Sequence, residues 1–192
     1  MTLAYRVFVL DPKAKPGEGG HPGYLYRPQR TGRIDNANHY DTWYLSETPE
    51  GAIGEVFGNL AEWSDDMFLS RFVPSGRRVL GIFDMPDDTP LLDLDDANNL
   101  LQWGLRPRQV VIRDRAMTQG WALRIFQHRD GAGQRMYDGV KWWSFQRPQW
   151  TVFGIWVPLG QTAPFTYLHH EDLNVKHYAV DSVHRSLAKP IR

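Results

Sequence analysis

Trp43-Tyr44-Leu45-Ser46-Glu47-Thr48-Pro49-Glu50-Gly51-Ala52-Ile53-Gly54-Glu55 is the stretch on which the reading of this chain turns. Thr42 to Leu45 reads as a strand. Thr48 then offers a hydroxyl at an N-cap, Pro49 suits the first helical position, and Glu50 sits well against the helix dipole. Ala52, Ile53, Val56, Phe57 and Leu60 recur at helical spacing. Gly51, Gly54 and Gly58 each cost up to ~1 kcal/mol relative to Ala. A helix carrying that cost gains from tight packing, because small residues let a backbone or a ligand come close. Glu55 lies beside the apolar stripe, at the edge between core and cleft.

Outward from this unit, strands and helices mix without regular alternation. Tyr5–Leu10, Tyr24–Arg27, Val79–Phe83, Val140–Phe145 and Thr151–Val157 read as strands. Asp95 is placed to cap a helix over Asp96–Trp103, stopped by Gly104. A second long helix is expected over Asp114–His128, with Met117, Trp121, Leu123, Ile125 and Phe126 mostly buried. Val110–Ile112 is too short to assign. The class is therefore α+β rather than a doubly wound sheet.

A length of 192 residues fits one domain. Within it, residues 1–23 form an N-terminal strand and loop, 24–160 a catalytic core, and 161–192 a C-terminal extension with a mobile end. Lys and Arg number 22, matching 22 Asp and Glu, so no basic surplus is left for bulk nucleic-acid binding. The absence of Cys excludes disulfides, thiolate metal sites and Cys nucleophiles. The short apolar start is broken by Arg6 and runs into Asp11-Pro12-Lys13, unlike a signal peptide. No run approaches the length of a membrane span. A cytoplasmic location without membrane contact is expected.

Common catalytic signatures such as G-x-S-x-G, H-E-x-x-H and the phosphate-binding P-loop do not occur. His169, His170, His177 and His184 lie near Glu171 and Asp172, but a polar tail with surface histidines accounts for them, and no metal is expected. Asp93, Asp95 and Asp96 read as a cap and a solvated turn. More distinctive is Y-R-P-Q-R-T-G-R-I-D from Tyr26, then W-Y-L-S-E-T-P-E-G-A-I-G-E from Trp43, and later Y-D-G-V-K-W-W-S from Tyr137. This order resembles the RES domain family. That family's pattern is roughly G-R-[WF]-N, a strand ending in Tyr, a small-rich helix with Glu, and Y-D-G-[LI]-x-[YF]-x-S. The likeness runs from about Tyr26 to about Trp156, and the helix near Asp114 and Thr118-Gln119 also looks like the family's. The family's Arg falls on Arg33, its Tyr on Tyr44, its Glu on Glu55 and its Ser on Ser144. Ile34-Asp35 stands where the family usually has Trp-Asn, and Phe145-Gln146 where a second Ser and an Arg often follow.

The resemblance implies a fold like the ADP-ribosyltransferases, a split, bent β-sheet core with surrounding helices. It implies the toxin of a bacterial toxin–antitoxin pair, cleaving the N-glycosidic bond of NAD+ by hydrolysis or phosphorolysis. NAD+ is then substrate, with no prosthetic group, and the partner is an Xre-type helix-turn-helix antitoxin. Alternatives are a mono-ADP-ribosyltransferase acting on a protein and a non-catalytic interaction module. The chemistry suits the residues. A carboxylate such as Glu55 stabilises an oxocarbenium-like state. Arg33 would grip phosphate or ribose oxygens through its planar fork, with Arg27 and Arg30 as secondary candidates. Tyr44 would stack on the cationic nicotinamide, and Ser144 would hydrogen-bond the amide or ribose. Each also has a plain structural reading: a surface ion pair for the arginines, a core ring for Tyr44, a solvated helix Glu for Glu55, a buried hydroxyl for Ser144.

Overall fold

A computed structural model describes residues 2–192. Seven strands form one mixed sheet: β1 (Thr2–Leu10), β2 (Tyr40–Ser46), β3 (Arg77–Met85), β4 (Leu91–Asp93), β5 (Gly139–Trp143), β6 (Thr151–Pro158) and β7 (Thr166–Asp172). Their order is β4-β5-β6-β2-β1-β3-β7. Only β4–β5 is parallel among the described pairs. Five helices accompany them: α1 (Pro49–Phe57), α2 (Ala97–Trp103), α3 (Pro107–Val111), α4 (Arg115–Phe126) and α5 (Tyr178–Ser186). The chain is a single α+β domain.

The sheet is two half-sheets. β1 runs beside β3 in register from Thr2–Met85 to Leu10–Arg77, and β2 beside β6 from Tyr40–Pro158 to Ser46–Val152. Between the halves, β1 and β2 share one register pair, Tyr5 opposite Ser46. Beyond it they diverge, and a cleft opens in the sheet.

Alternating side chains distribute the core. On one face, Tyr40, Trp142, Val152 and Trp156 pack with Trp121, Ile125 and Phe126 of α4. Beside them on that face, Leu80 packs with Ala52, Ile53 and Phe57 of α1 and Val180 and Val183 of α5. The opposite face carries Ala4, Phe8, Trp43, Phe83, Phe153 and Ile155, covered by Leu25 and Phe165 from loops. The cleft thus lies between two helix-covered halves.

α1 begins as its sequence requires: the Thr48 hydroxyl accepts from Gly51 N at 3.1 Å. Its glycines face packed neighbours. A Cβ on Gly51 would lie 2.1 Å from Ser46 Oγ, and one on Gly54 2.3 Å from the Trp150 ring. α4 starts at Asp114, whose carboxylate accepts from Met117 N at 3.1 Å.

Several elements differ from the sequence reading. Tyr24–Arg27 is irregular; flanked by Gly23 and Pro28, it pairs with no strand and instead delivers Leu25 to the core. Asp96, not Asp95, caps α2, accepting from Asn98 N at 2.7 Å, and Gly104 closes the helix in the left-handed region. The buried stripe of α4 is Thr118, Trp121, Ala122, Ile125 and Phe126. Met117 lies one position off that stripe and is exposed, and Leu123 is half-buried. β5 stops at Trp143, after which Ser144 N donates to Trp150 O in a turn. β4, β7 and α5 had no clear signal. The final residues run beside Trp63, with Arg192 N donating to Trp63 O at 2.9 Å. Among the described residues no helix is long and apolar enough to cross a membrane.

Candidate active site

The cleft at the split encloses about 340 Å3. β1 supplies Tyr5, Arg6 and Val7, β2 supplies Thr42, Tyr44 and Ser46, α1 supplies Glu55, and Arg33 and Arg115 come from the loop before β2 and the start of α4. Trp142 and Val152 form part of its wall.

Glu55 projects from α1 toward the end of β5, where the Ser144 hydroxyl donates to its Oε1 at 2.5 Å. Ser144 is buried, and its Oγ in turn accepts from Gln146 N at 3.0 Å. The hydroxyl proton is therefore directed at the carboxylate, and Oε2 is left to the cleft. The close approach of α1 through Gly54 and Trp150 sets this distance, since any bulk there would lift the helix.

Tyr44 is anchored rather than free. Its hydroxyl donates to Asp35 Oδ1 at 2.8 Å and accepts from Ile34 N at 3.0 Å. The other Asp35 oxygen accepts from Gly32 N at 2.6 Å. Burial, followed by the charge of Asp35, holds the Tyr44 phenol well above its ordinary pKa. The 32–35 loop is thereby clamped against β2, with Ile34 fully buried and its Cδ1 occupying the space left by Gly154.

This clamp presents Arg33. Its Nη1 donates to Val110 O at 2.9 Å and Ile112 O at 2.7 Å, at the end of α3. Burial chiefly, then the like charge of Arg115, lowers its pKa, while Glu55 and Tyr44 act the other way. An arginine with this starting point stays charged at neutral pH. Thr118 Oγ1 secures the same loop by donating to Arg33 O at 2.6 Å.

The four residues Arg33, Tyr44, Glu55 and Ser144, spread over more than a hundred positions, are thus brought together: three line the cleft and Ser144 holds Glu55 from behind. Arg27 is not brought there. It pairs with Asp41, Nε to Oδ2 at 2.8 Å, beside a separate cavity, and this bond raises its pKa. Arg30 does not line the cleft either; its carbonyl accepts from the Gln119 side chain at 3.0 Å. The histidines of the tail are engaged locally, His177 with Glu171 at 2.9 Å and His184 with Asp181 at 3.2 Å. Among the described residues no group of His, Asp or Glu is arranged to hold a metal ion.

Sequence reasoning missed two cleft arginines and a threonine. Nη1 of Arg6 and of Arg115 are buried without hydrogen-bond partners, and so is Oγ1 of Thr42. Arg6 is held at one side by the Trp43 ring, 4.6 Å from its guanidinium carbon. Burial lowers its pKa to about 10. The signal available was an Arg inside the apolar run Tyr5–Leu10, since a charge on a central strand needs a reason to be there. Arg6, Arg33 and Arg115 against the single carboxylate of Glu55 make the cleft cationic.

The split sheet of this single α+β domain thus holds one carboxylate among three guanidiniums in a cationic pocket. The chain belongs to the RES domain family, whose model matches residues 3–175. Its fold is similar to that of a chain in the crystal structure of the M. tuberculosis MbcT–MbcA toxin–antitoxin complex, with a TM-score of 0.61 and 16% identity. The match covers 96% of this chain and 87% of that one. A search of curated proteins returned no significant sequence match.

Proposed function

We propose that the protein is the toxin of a toxin–antitoxin pair and acts by cleaving the bond between nicotinamide and ribose in NAD+. The observation that carries this reading is the Glu55 carboxylate, held by Ser144, in a cleft whose other charged groups are the guanidiniums of Arg6, Arg33 and Arg115. NAD+ needs both kinds of group. Its pyrophosphate is anionic, and its ribose becomes cationic as the glycosidic bond breaks.

In the reaction, nicotinamide leaves with the bonding electron pair as a neutral amide. Glu55 Oε2 stabilises the oxocarbenium left at the ribose. Water or phosphate then adds to that carbon, giving ADP-ribose or its 1-phosphate; with water, the surplus proton passes to solvent. Arg33 and Arg115 supply the phosphate contacts. Tyr44, rigid through Asp35 and Ile34, offers a ring face to the nicotinamide cation. A cleft of about 340 Å3 is at the small end for ligand sites, suited to the nicotinamide riboside end of the molecule.

Family membership supports the class, and the fold's likeness to the MbcT–MbcA complex supports an antitoxin partner, for which the Xre helix-turn-helix type is the specific proposal. Such a partner would silence the protein by covering the cleft. The test is incubation of purified protein with NAD+, followed by mass spectrometry. Free nicotinamide with ADP-ribose or ADP-ribose 1-phosphate is expected. Unchanged NAD+ with folded protein, in phosphate buffer and without an antitoxin, would rule the reading out.

A further inference from the structure

A second and larger cavity, of about 690 Å3, adjoins the cleft. The two share one residue, Arg6, which lines both. Arg6 sits on β1 between Tyr5 and Val7, which face the α1 side, and on the same face as Ala4 and Phe8. Its guanidinium therefore lies on the loop-covered face beside the Trp43 ring, at the split, where it lines both cavities. There the second cavity is lined by Phe8, Tyr24, Tyr26 and Phe72. Two of these rings have no packing role to explain their position: Tyr26 is 72% exposed and Phe72 93% exposed.

We propose that this second cavity is the subsite for the adenosine half of a dinucleotide, with Arg6 at its mouth gripping the diphosphate. The proposal deepens the NAD+ reading above and rests on it for the identity of the whole substrate. It commits to a purine nucleoside diphosphate as the chemistry recognised.

Three observations carry it. First, Arg6 Nη1 is buried and unpartnered, and no carboxylate among the described residues pairs with the side chain. An unsatisfied buried cation is costly, and an arriving anion removes that cost. Burial lowers the pKa only to about 10, so the charge is present at neutral pH. Second, the cavity beyond Arg6 is apolar and aromatic, and base-on-ring stacking suits a flat purine without demanding a hydrogen-bond code. Third, the lining has an order: Glu55 lines the first cavity, Arg6 lines both, and the rings line the second. A dinucleotide has the same order, with glycosidic ribose, diphosphate, then adenosine. The first cleft alone is small for the entire molecule, whereas the pair of cavities is not.

The test titrates ADP into the full chain by calorimetry, beside Arg6→Met, Phe72→Ser and Tyr26→Ser. Met keeps the length of the Arg6 side chain without its charge, and the two exposed rings can be removed without opening the core. Unfolding midpoints confirm folded variants. ADP is expected to bind to the wild type. Arg6→Met is expected to weaken it about tenfold or more, and each ring variant about fivefold. Inorganic pyrophosphate should lose affinity in Arg6→Met but not in the ring variants. The same variants should raise KM for NAD+ while leaving cleavage of nicotinamide mononucleotide, which has no adenosine, unaffected by the ring changes. ADP that fails to bind, or binds Arg6→Met and both ring variants like the wild type, overturns the subsite, even if NAD+ is cleaved. Arg6- and ring-dependent ADP binding with intact NAD+ supports the subsite and overturns the cleavage reading instead.

Discussion

Replacing Glu55 by Gln tests the proposed chemistry at its centre. The carboxylate's distance to a developing ribose cation would be about 4 Å, and at an effective dielectric near 20 that attraction is ~4 kcal/mol. Glu55 is on the solvent side of α1, so screening trims this toward ~3 kcal/mol, or a fall of roughly 10²–10³ in kcat. The amide keeps an oxygen that accepts from Ser144, so the held geometry survives. KM should stay the same or fall. Glu55 is the one carboxylate lining the cleft, and its loss leaves Arg33 and Arg115 more attractive to phosphate. Stability should change by less than ~0.5 kcal/mol, because an exposed side chain contributes little packing. The assay follows nicotinamide release against NAD+ concentration, with matched thermal unfolding of both proteins. Wild-type kcat in a folded Glu55→Gln protein would refute the charge-stabilisation argument, and a rise in KM with unchanged kcat would refute its placement at the transition state.

Gly54→Ala gains helix propensity of ~1 kcal/mol but drives a methyl into the Trp150 ring; a net loss of ~1–3 kcal/mol is expected by chemical denaturation. Tyr44→Phe removes two hydrogen bonds and strands the Ile34 N–H. It should lower stability by ~1–3 kcal/mol, whereas a ring present only for stacking would leave the denaturation midpoint in place. Alkaline pH should unfold the protein through Tyr40 and Tyr44. Burial raises both phenols, so the folded chain keeps protons that the unfolded chain releases near pH ~10, and stability falls as pH rises past that point. Absorbance of the phenolates recorded alongside circular dichroism checks this; ionisation of all eight tyrosines while the fold persists would contradict it.

The glycine-rich helix was legible because its cap, its proline and its periodic side chains act locally. The meaning of Gly54 was legible only in part: the sequence announces close packing, not that Trp150 is the neighbour. Asp35 shows the limit more sharply. It occupies a position where the family usually has Asn, and it reads as a departure, yet its two oxygens tie Tyr44 to the Gly32 turn. Ile34 departs likewise and fits because Gly154, 120 positions later in another strand, gives it room. Neither relation has a local signature. β7 was hidden because it is an edge strand, half in solvent, and its Thr166–Asp172 residues therefore have no apolar alternation to detect. Arg6 was visible as an interruption, and only the diverging strands reveal that it interrupts for a reason.

The order in which the chain closes its sheet also matters during synthesis. β1, β3 and α1 can be made by residue 85, yet the wall opposite Arg6 depends on β2 finding β6, whose residues are Thr151–Pro158. Glu55 waits for Ser144, 89 residues downstream. A ribosome therefore has to deliver the chain through β6 before the cleft has two sides. A truncated product carries the carboxylate and the arginines but no enclosed site. The proposed activity can arise only after β6 and Ser144 have been made, which leaves a preceding interval for any partner to be present.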